Sequence, residues 1–537
     1  MYMNKFLIIM GLTALLSGCG GQKVFNFAHE DAVTNPSNVQ DSYMSSTALY
    51  GSDDGGKSAN IAVLLPMTGD FKTMGHDIKT SIETAFLRKT KTNIKMTFFD
   101  LSGTRANRDI VIGQALASSP DIIIGPIFAE DTKILRDKKS SSTPVISFTS
   151  DATALGDDVI TVNLIPTQSI ETIVRQMIID GAKSMLILAP NDESGKTMAA
   201  AADKSGSLYN VPVRGLFYYD SGNSDSIKDV AMRASMYNTR VAVNNRAREV
   251  LSDILAKEKL TAKERSSLNT QLEKISRTET LGNLPYDAIL FLGSGEDSKT
   301  LASFLRYYGV KNRDVAFYGT TLWQNSDIAQ DLTMSGAKYA TLPEISENFV
   351  NLYNLVAGKE PNHMASFGYD AAYLALGMLY TQKSQSAYLY DPNGYVGTSG
   401  IFRIQPNGES ERGLRIMELT ATETPNTLKE TPTNFITTLY NVRSNNLRSV
   451  AEKEISTRGI NPGDYIKIPE HLRKKSQYKT KTIGANYVET ETQIDPDAPI
   501  QIFAEEEVKE VIVNPDYEPV KLENVSRQNI DSVEVEE

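Results

Sequence analysis

Side chains able to carry covalent or acid–base chemistry are few in this chain of 537 residues: four histidines, His29, His76, His363 and His471, and a single cysteine, Cys19. No histidine pair has the H-E-x-x-H spacing that sets two imidazoles on one helical face around zinc. G-x-S-x-G elbows, Walker loops and G-x-G-x-x-G turns are absent, and "LGSGED" at 292–297 lacks the Lys and Ser/Thr of a phosphate loop. Paired carboxylates can hydrolyse a glycosidic bond. Here 66 Asp and Glu are spread along the whole chain, so no pair is singled out. The inventory points to a non-catalytic protein with no metal site and no cofactor.

Cys19 has a different chemistry. Lys5 gives a positive start, "FLIIMGLTALL" an apolar run, and small residues lead to the cysteine, which is the pattern of a secretory signal peptide. The run is shorter than the roughly 20 residues that span a bilayer. "L-S-G-C" resembles the lipobox cut by lipoprotein signal peptidase, so residues 1–18 read as a lipoprotein signal peptide and Cys19 as the lipidated first residue of the mature chain. Each buried acyl methylene contributes roughly 0.8 kcal/mol, enough for several acyl chains to hold the protein on a membrane. With its one thiol acylated the chain forms no internal disulfide. Gly20, rather than Asp, follows; in Gram-negative lipoproteins this implies sorting to the outer membrane, with the chain facing the periplasm.

The elements that must follow the anchor are legible in the patterning. Residues 19–58 are rich in Ser, Asn, Asp and Gly and read as a flexible tether. From Asn60 onward, buried-strand runs ("NIAVLLP", "IKMTFFD", "DIIIGP", "TPVISFT") alternate with helical spacings such as Met74, Ile78, Ile82, Ala85 and Phe86. That alternation predicts a parallel sheet covered by helices on both faces. A second set begins after Pro166 ("SMLILAP", "VPVRGLFYY", "YDAILFLG", "DVAFYGT"), so the expected architecture is α/β with two lobes. Ligands of such sheets bind outside the strand carboxyl ends, which draws attention to the loops "PMTGD", "SFTSDA", "APNDES", "LGSGED" and "GTTLW". Pro66, Gly69, Gly125 and Pro126 are expected to shape tight strand-to-helix turns. The net charge of −11 and pI of about 5.2 argue against nucleic acid as a partner, since phosphate binding needs a concentrated basic surface.

Residues 239–281 interrupt the alternation. Val243, Ala247, Val250, Leu251, Ile254 and Leu255 share one helical face, and Thr261 with Glu264 forms a capping-box pattern ahead of Leu268, Leu272 and Ile275. This predicts a helical hairpin whose apolar stripe packs on the second lobe and whose charged side is free for a partner. Residues 421–537 read as a largely disordered tail with a basic stretch, "HLRKKSQYKTKT", and an acidic end.

Four stretches, "IAVLLPMTGDFKTMGHDIKTSIETA", "SPDIIIGPIFAEDTKIL", "STPVISFTSD" and "SFGYDAAYLALGML", resemble the type I periplasmic binding proteins in that family's order. Within the group they are more similar to the LppC-type penicillin-binding protein activators. The resemblance covers residues 60 to about 420, fits a domain at 59–420, and takes "GIFRIQPNGESERGLRIMEL" as a terminal hairpin turning at Pro-Asn-Gly. It implies one of two functions: activation of a peptidoglycan synthase, a penicillin-binding protein, or solute delivery to an ABC transporter. A small-molecule ligand would meet hydroxyls of the cleft loops, with Thr68, Ser147, Thr149, Ser294 and Thr321 as candidates. The same hydroxyls equally suit turn and cap roles. Ser194 stands where amino-acid binders of the family tend to have an aromatic, and Thr321 near an expected acid; Glu296, Asp192 or Asp100 would have to substitute. The hairpin insertion favours the activator branch.

Overall fold

The computed structural model describes residues 24–26, 59–87, 94–140, 142–324, 326–381, 384–420, 424–435, 442, 447–455 and 460–473. The signal peptide, Cys19 and nearly all of the tether lie outside the described residues, as does 489–537, which separates as a second unit from residues 1–488.

The first lobe is built on a six-stranded sheet. Its strands are β1 (Val24–Asn26), β2 (Ala59–Leu65), β3 (Ile94–Asp100), β4 (Ile122–Ile124), β5 (Val145–Ser147) and β6 (Val159–Thr161), in the order β1-β3-β2-β4-β5-β6. All neighbours are parallel except β1, which runs antiparallel to β3. Continuous apolar runs form the central strands because helices cover both faces; Ile122, Ile123 and Ile124 are all fully buried. The helix Lys72–Leu87 presents Ile78, Ile82, Ala85 and Phe86 to this core, one turn apart.

The second lobe repeats the wiring. Strands β7 (Met185–Pro190), β8 (Val213–Tyr219), β9 (Ala288–Phe291), β10 (Ala316–Gly319) and β11 (Lys338–Thr341) stand in the order β8-β7-β9-β10-β11, all parallel. With β3-β2-β4-β5-β6 in the first lobe, both sheets have the doubly wound order 2-1-3-4-5, whose switch point lies between the first and third strands. A separate antiparallel sheet joins β12 (Tyr395–Gly397), β13 (Gly400–Ile404) and β14 (Ser410–Arg412). The expected terminal hairpin is therefore confined to β13 and β14, with Gly408 in the turn at φ +85°. The next strand, β15 (Arg415–Glu418), leaves it to pair with β11 in the second lobe, and β16 (Asn426–Lys429) extends that sheet.

Between β6 and β15 the chain passes between lobes at 162–165, at 342–346 before the first-lobe helices Glu347–Ala357 and His363–Tyr380, and at 413–414.

The insertion is a hairpin of helices Tyr237–Lys257 and Ala262–Ser276, and Thr261 and Glu264 form the reciprocal capping box. Its apolar stripe does not lie on the second-lobe core. Ala247, Val250, Leu251, Ile254, Leu268 and Ile275 pack against one another and against Ile466, Ile468 and Leu472, from the stretch read as tail. Described parts of residues 421–473 thus form a strap. The Val442 N–H reaches Glu171, Lys453 pairs with Leu216 on the outer edge of β8 through reciprocal 2.9 Å hydrogen bonds, and Lys467 exchanges backbone bonds with the Gln271 amide. An edge strand and an apolar stripe each need a cover, and the strap supplies both. At the hairpin root, buried Arg240 donates to the carbonyls of Ser235, Tyr308 and Gly309. Ser235 and Tyr308 are helix C-caps, so a cation there meets the negative ends of two helix dipoles.

Candidate functional site

The cleft side of the first lobe is set by the loops after β2, β3, β4 and β5. Gly125, at φ +97°, closes the turn after β4; a Cβ there would lie 2.2 Å from the Leu64 carbonyl oxygen. Asp100, at the end of β3, accepts the Met67 N–H at 2.7 Å and the Thr68 hydroxyl at 2.8 Å, and Thr68 lies 2.6 Å from the Ser102 hydroxyl. Burial alone would raise the Asp100 pKa, but the Thr68, Met67 and Ser102 hydrogen bonds outweigh it and hold the carboxyl below its usual range. Beside this loop Phe71 and Phe128 meet edge to face at 4.7 Å, with Phe71 about half exposed.

Ser147 and Thr149 are 0% and 2% exposed. The Ser147 hydroxyl donates to the Pro126 carbonyl at 2.9 Å and accepts the Thr149 N–H; the Thr149 hydroxyl accepts the Asp151 N–H at 3.1 Å. Both hydroxyls shape the loop after β5. In the second lobe Ser294 caps the helix Gly295–Tyr307, and Thr321 opens a short 3-10 turn. No hydrogen bond among the described residues joins Thr68, Ser294 or Thr321 to the Ser147–Thr149 loop. The acids named as substitutes are also engaged: Asp192 caps the helix Glu193–Leu208, Glu296 pairs with Lys299 at 2.7 Å, and Asp100 holds its own loop. Among the described residues no group of three His, Cys, Asp or Glu is placed to hold a metal ion, and no helix is long and apolar enough to cross a membrane.

The hinge carries a polar centre that the cleft reading did not include. Arg412 is fully buried. Its Nε donates to the Val162 carbonyl at 2.9 Å, its Nη2 reaches the same oxygen, and Nη2 faces Asp370 Oδ2 at 3.5 Å. The guanidinium also lies over the rings of Phe367 and Phe402, 4.1 and 4.9 Å from their centroids. Gln168 bonds both the N–H and the carbonyl of Arg412, and Asp370 accepts the N–H and hydroxyl of Thr398. Burial pushes the Asp370 carboxyl up against the pull of Arg412, and pushes Arg412 down to about 10; the guanidinium is still a cation at neutral pH. At the second crossing His363 Nε2 lies 3.2 Å from the Pro343 carbonyl. One signal for this centre was visible in the sequence: Asp370 stands alone among apolar residues in "SFGYDAAYLALGML".

Residues 54–415 match the family described as "LppC putative lipoprotein". The penicillin-binding protein activator LpoA of Pasteurella multocida (strain Pm70) is 22% identical over 204 residues, 35% of this chain and 35% of that relative's own length. A solved "putative branched-chain amino acid ABC transporter" from Rhodospirillum rubrum aligns at a TM-score of 0.52 and 16% identity, over 69% of this chain and all of the other. That likeness concerns the fold, a two-lobed type I periplasmic-binding-protein architecture. The C-domain of LpoA from Haemophilus influenzae, described as a regulator of PBP1A, aligns at a TM-score of 0.46 and 16% identity over 69% of this chain and 100% of that one.

Proposed function

Because the chain belongs to the LppC family, we propose that it is a lipoprotein facing the periplasm, anchored through Cys19 to the outer membrane, that activates a penicillin-binding protein. It acts by contact and not by catalysis. The observation that carries this reading is the family match over 362 residues, from 54 to 415, together with a curated relative named for that activity. The local geometry agrees with it. Ser147 and Thr149 are buried, and their hydroxyls hold their own loop, Ser147 as donor and acceptor and Thr149 as acceptor. The hairpin, with its stripe covered by the strap, leaves Arg248, Lys257 and Glu273 exposed as a charged surface for the synthase.

The test is reconstitution. Added to a purified penicillin-binding protein from the same cell, the mature chain should bind it and raise its rate of glycan polymerisation or cross-linking. Absence of both binding and stimulation with every such synthase of the cell would sink the proposal. A saturable rise in melting temperature with one amino acid would favour the transporter reading instead, since ligand at 100 times its dissociation constant stabilises by about 2.7 kcal/mol.

A further inference from the structure

The strap brings charge to the hairpin as well as apolar cover. Its last described turn, Glu470–Arg473, lies beside the start of the second hairpin helix, where His471 Nδ1 is 3.6 Å from Glu264 Oε1. Two segments far apart in the chain therefore meet at the hairpin tip, the loop between Lys257 and Ala262. Both are basic. Residues 253–265 and 467–482 carry ten Lys and Arg against four Asp and Glu, a net charge of +6 in a chain of net charge −11. The strap's share lies beyond residue 415, where the family match ends.

Two of the four acids are already engaged. Asp253 pairs with Lys257 at 3.2 Å, and Glu264 accepts the N–H and hydroxyl of Thr261 at 2.9 and 2.8 Å in the capping box. Lys259, Lys263, Lys467 and Arg473 are exposed and form no ion pair with a carboxylate among the described residues. Such a surplus of unpaired cations attracts and orients an acidic surface. The apolar content separates the classes of acidic partner. A helix that lies on an anionic membrane buries an apolar face in the bilayer, but here the stripe is already covered by Ile466, Ile468 and Leu472. None of the exposed large apolar side chains of the described residues falls within 237–281 or 460–473. We propose that the hairpin tip, completed by Lys467 and Arg473 of the strap, is the docking surface for an acidic face of the penicillin-binding protein. This rests on the functional reading above and adds to it the sign of the contact and its place.

Binding kinetics of the full mature chain on an immobilised, purified penicillin-binding protein of the same cell test this, at about 50 mM and about 300 mM salt, where screening of exposed charges differs strongly. The wild-type association rate should fall at least about tenfold at the higher salt. The triple reversal Lys259→Glu, Lys263→Glu, Arg473→Glu should lower the low-salt affinity at least about tenfold and remove most of the salt dependence, with an unchanged melting temperature. A charge-conserving triple variant, Lys259→Arg, Lys263→Arg, Arg473→Lys, should bind as the wild type does. Wild-type binding that the reversed variant retains in full would overturn the docking surface and leave the functional reading standing; no binding by the wild type to any such synthase would sink both. A Cys19→Ser chain, free of its anchor, that sediments with phosphatidylglycerol vesicles only while the three cations are present, beside unaltered synthase binding, would assign the surface to a membrane and overturn the proposal.

Discussion

The Arg412 guanidinium donates to the Val162 carbonyl at 2.9 Å, and these two residues belong to different passages of the chain between the lobes. Val162 opens the first crossing and Arg412 precedes the third, so one buried cation fixes their separation. Asp370, from the helix His363–Tyr380, supplies the opposing charge. Movement of one lobe on the other has to be accommodated around this centre.

Arg412→Ala is expected to destabilise the protein by roughly 3–5 kcal/mol, because it leaves the Asp370 carboxyl buried without its cation. The Arg412→Leu, Asp370→Leu double variant should recover a good part of that loss, since no uncompensated charge stays inside. Urea denaturation of the three proteins checks both statements. A single variant within about 1 kcal/mol of wild type would remove Arg412 from its place as the tie between crossings.

His363 should make stability depend on mildly acidic pH. Burial, with Arg412 and Arg415 nearby, holds its imidazole below the ordinary histidine range, although the Pro343 carbonyl pulls the other way. The unfolded chain, with a histidine pKa of about 6.5, then binds the proton more readily than the folded one, and stability falls as pH drops below that value toward the folded pKa. Melting temperatures measured from pH 7.5 to 5 should show the decline, and His363→Gln should flatten it. An identical slope in that variant would assign the dependence to other groups.

In the hairpin two classes of substitution should separate. Leu251→Ala and Leu268→Ala remove side chains that are 0% and 1% exposed, at a cost of about 2–5 kcal/mol each. Ile466→Asp should be damaging too, because it sets a charge against the same stripe. Changes at Arg248, Lys257 and Glu273 should stay within about 0.5 kcal/mol yet weaken stimulation of the synthase. Chemical denaturation beside an activity assay distinguishes the classes; full stimulation by the triple charge variant would move the partner surface elsewhere.

Cys19→Ser should abolish incorporation of labelled palmitate and release the protein from the outer-membrane fraction, since the acyl chains provide the attachment. Unchanged fractionation of this variant would refute anchoring through Cys19.

Much of the fold is legible in the sequence. Runs such as "IAVLL" and "DIIIG" are apolar on both faces, which only a strand covered on both sides tolerates, and Thr261 with Glu264 announced a helix start by local chemistry alone. Short strands escaped: Val159–Thr161 and Lys338–Thr341 are too brief to show a period and are strands because neighbours supply their hydrogen bonds. For the same reason the stretch after Gly400 reads as one hairpin although β15 belongs to the other lobe. The resemblance nominates Ser147 and Thr149 as cleft hydroxyls, but sequence does not reveal that they turn inward to hold their own loop.

By itself the sequence determined the elements: which segments bury both faces, where the hairpin is inserted, and that Cys19 follows a signal-like run. These depend on spacing of a few residues along the chain, and local sterics and burial patterning act at that range. Tertiary structure alone decided what those elements meet. Arg412 lies 250 residues from Val162, and Gln271 lies 196 from Lys467. The strap has little apolar periodicity of its own, yet Ile466, Ile468 and Leu472 find cover on the hairpin stripe. Pairings at such separations are fixed by the competition of every exposed apolar surface and unpaired polar group in the folded chain, and no local pattern records its outcome.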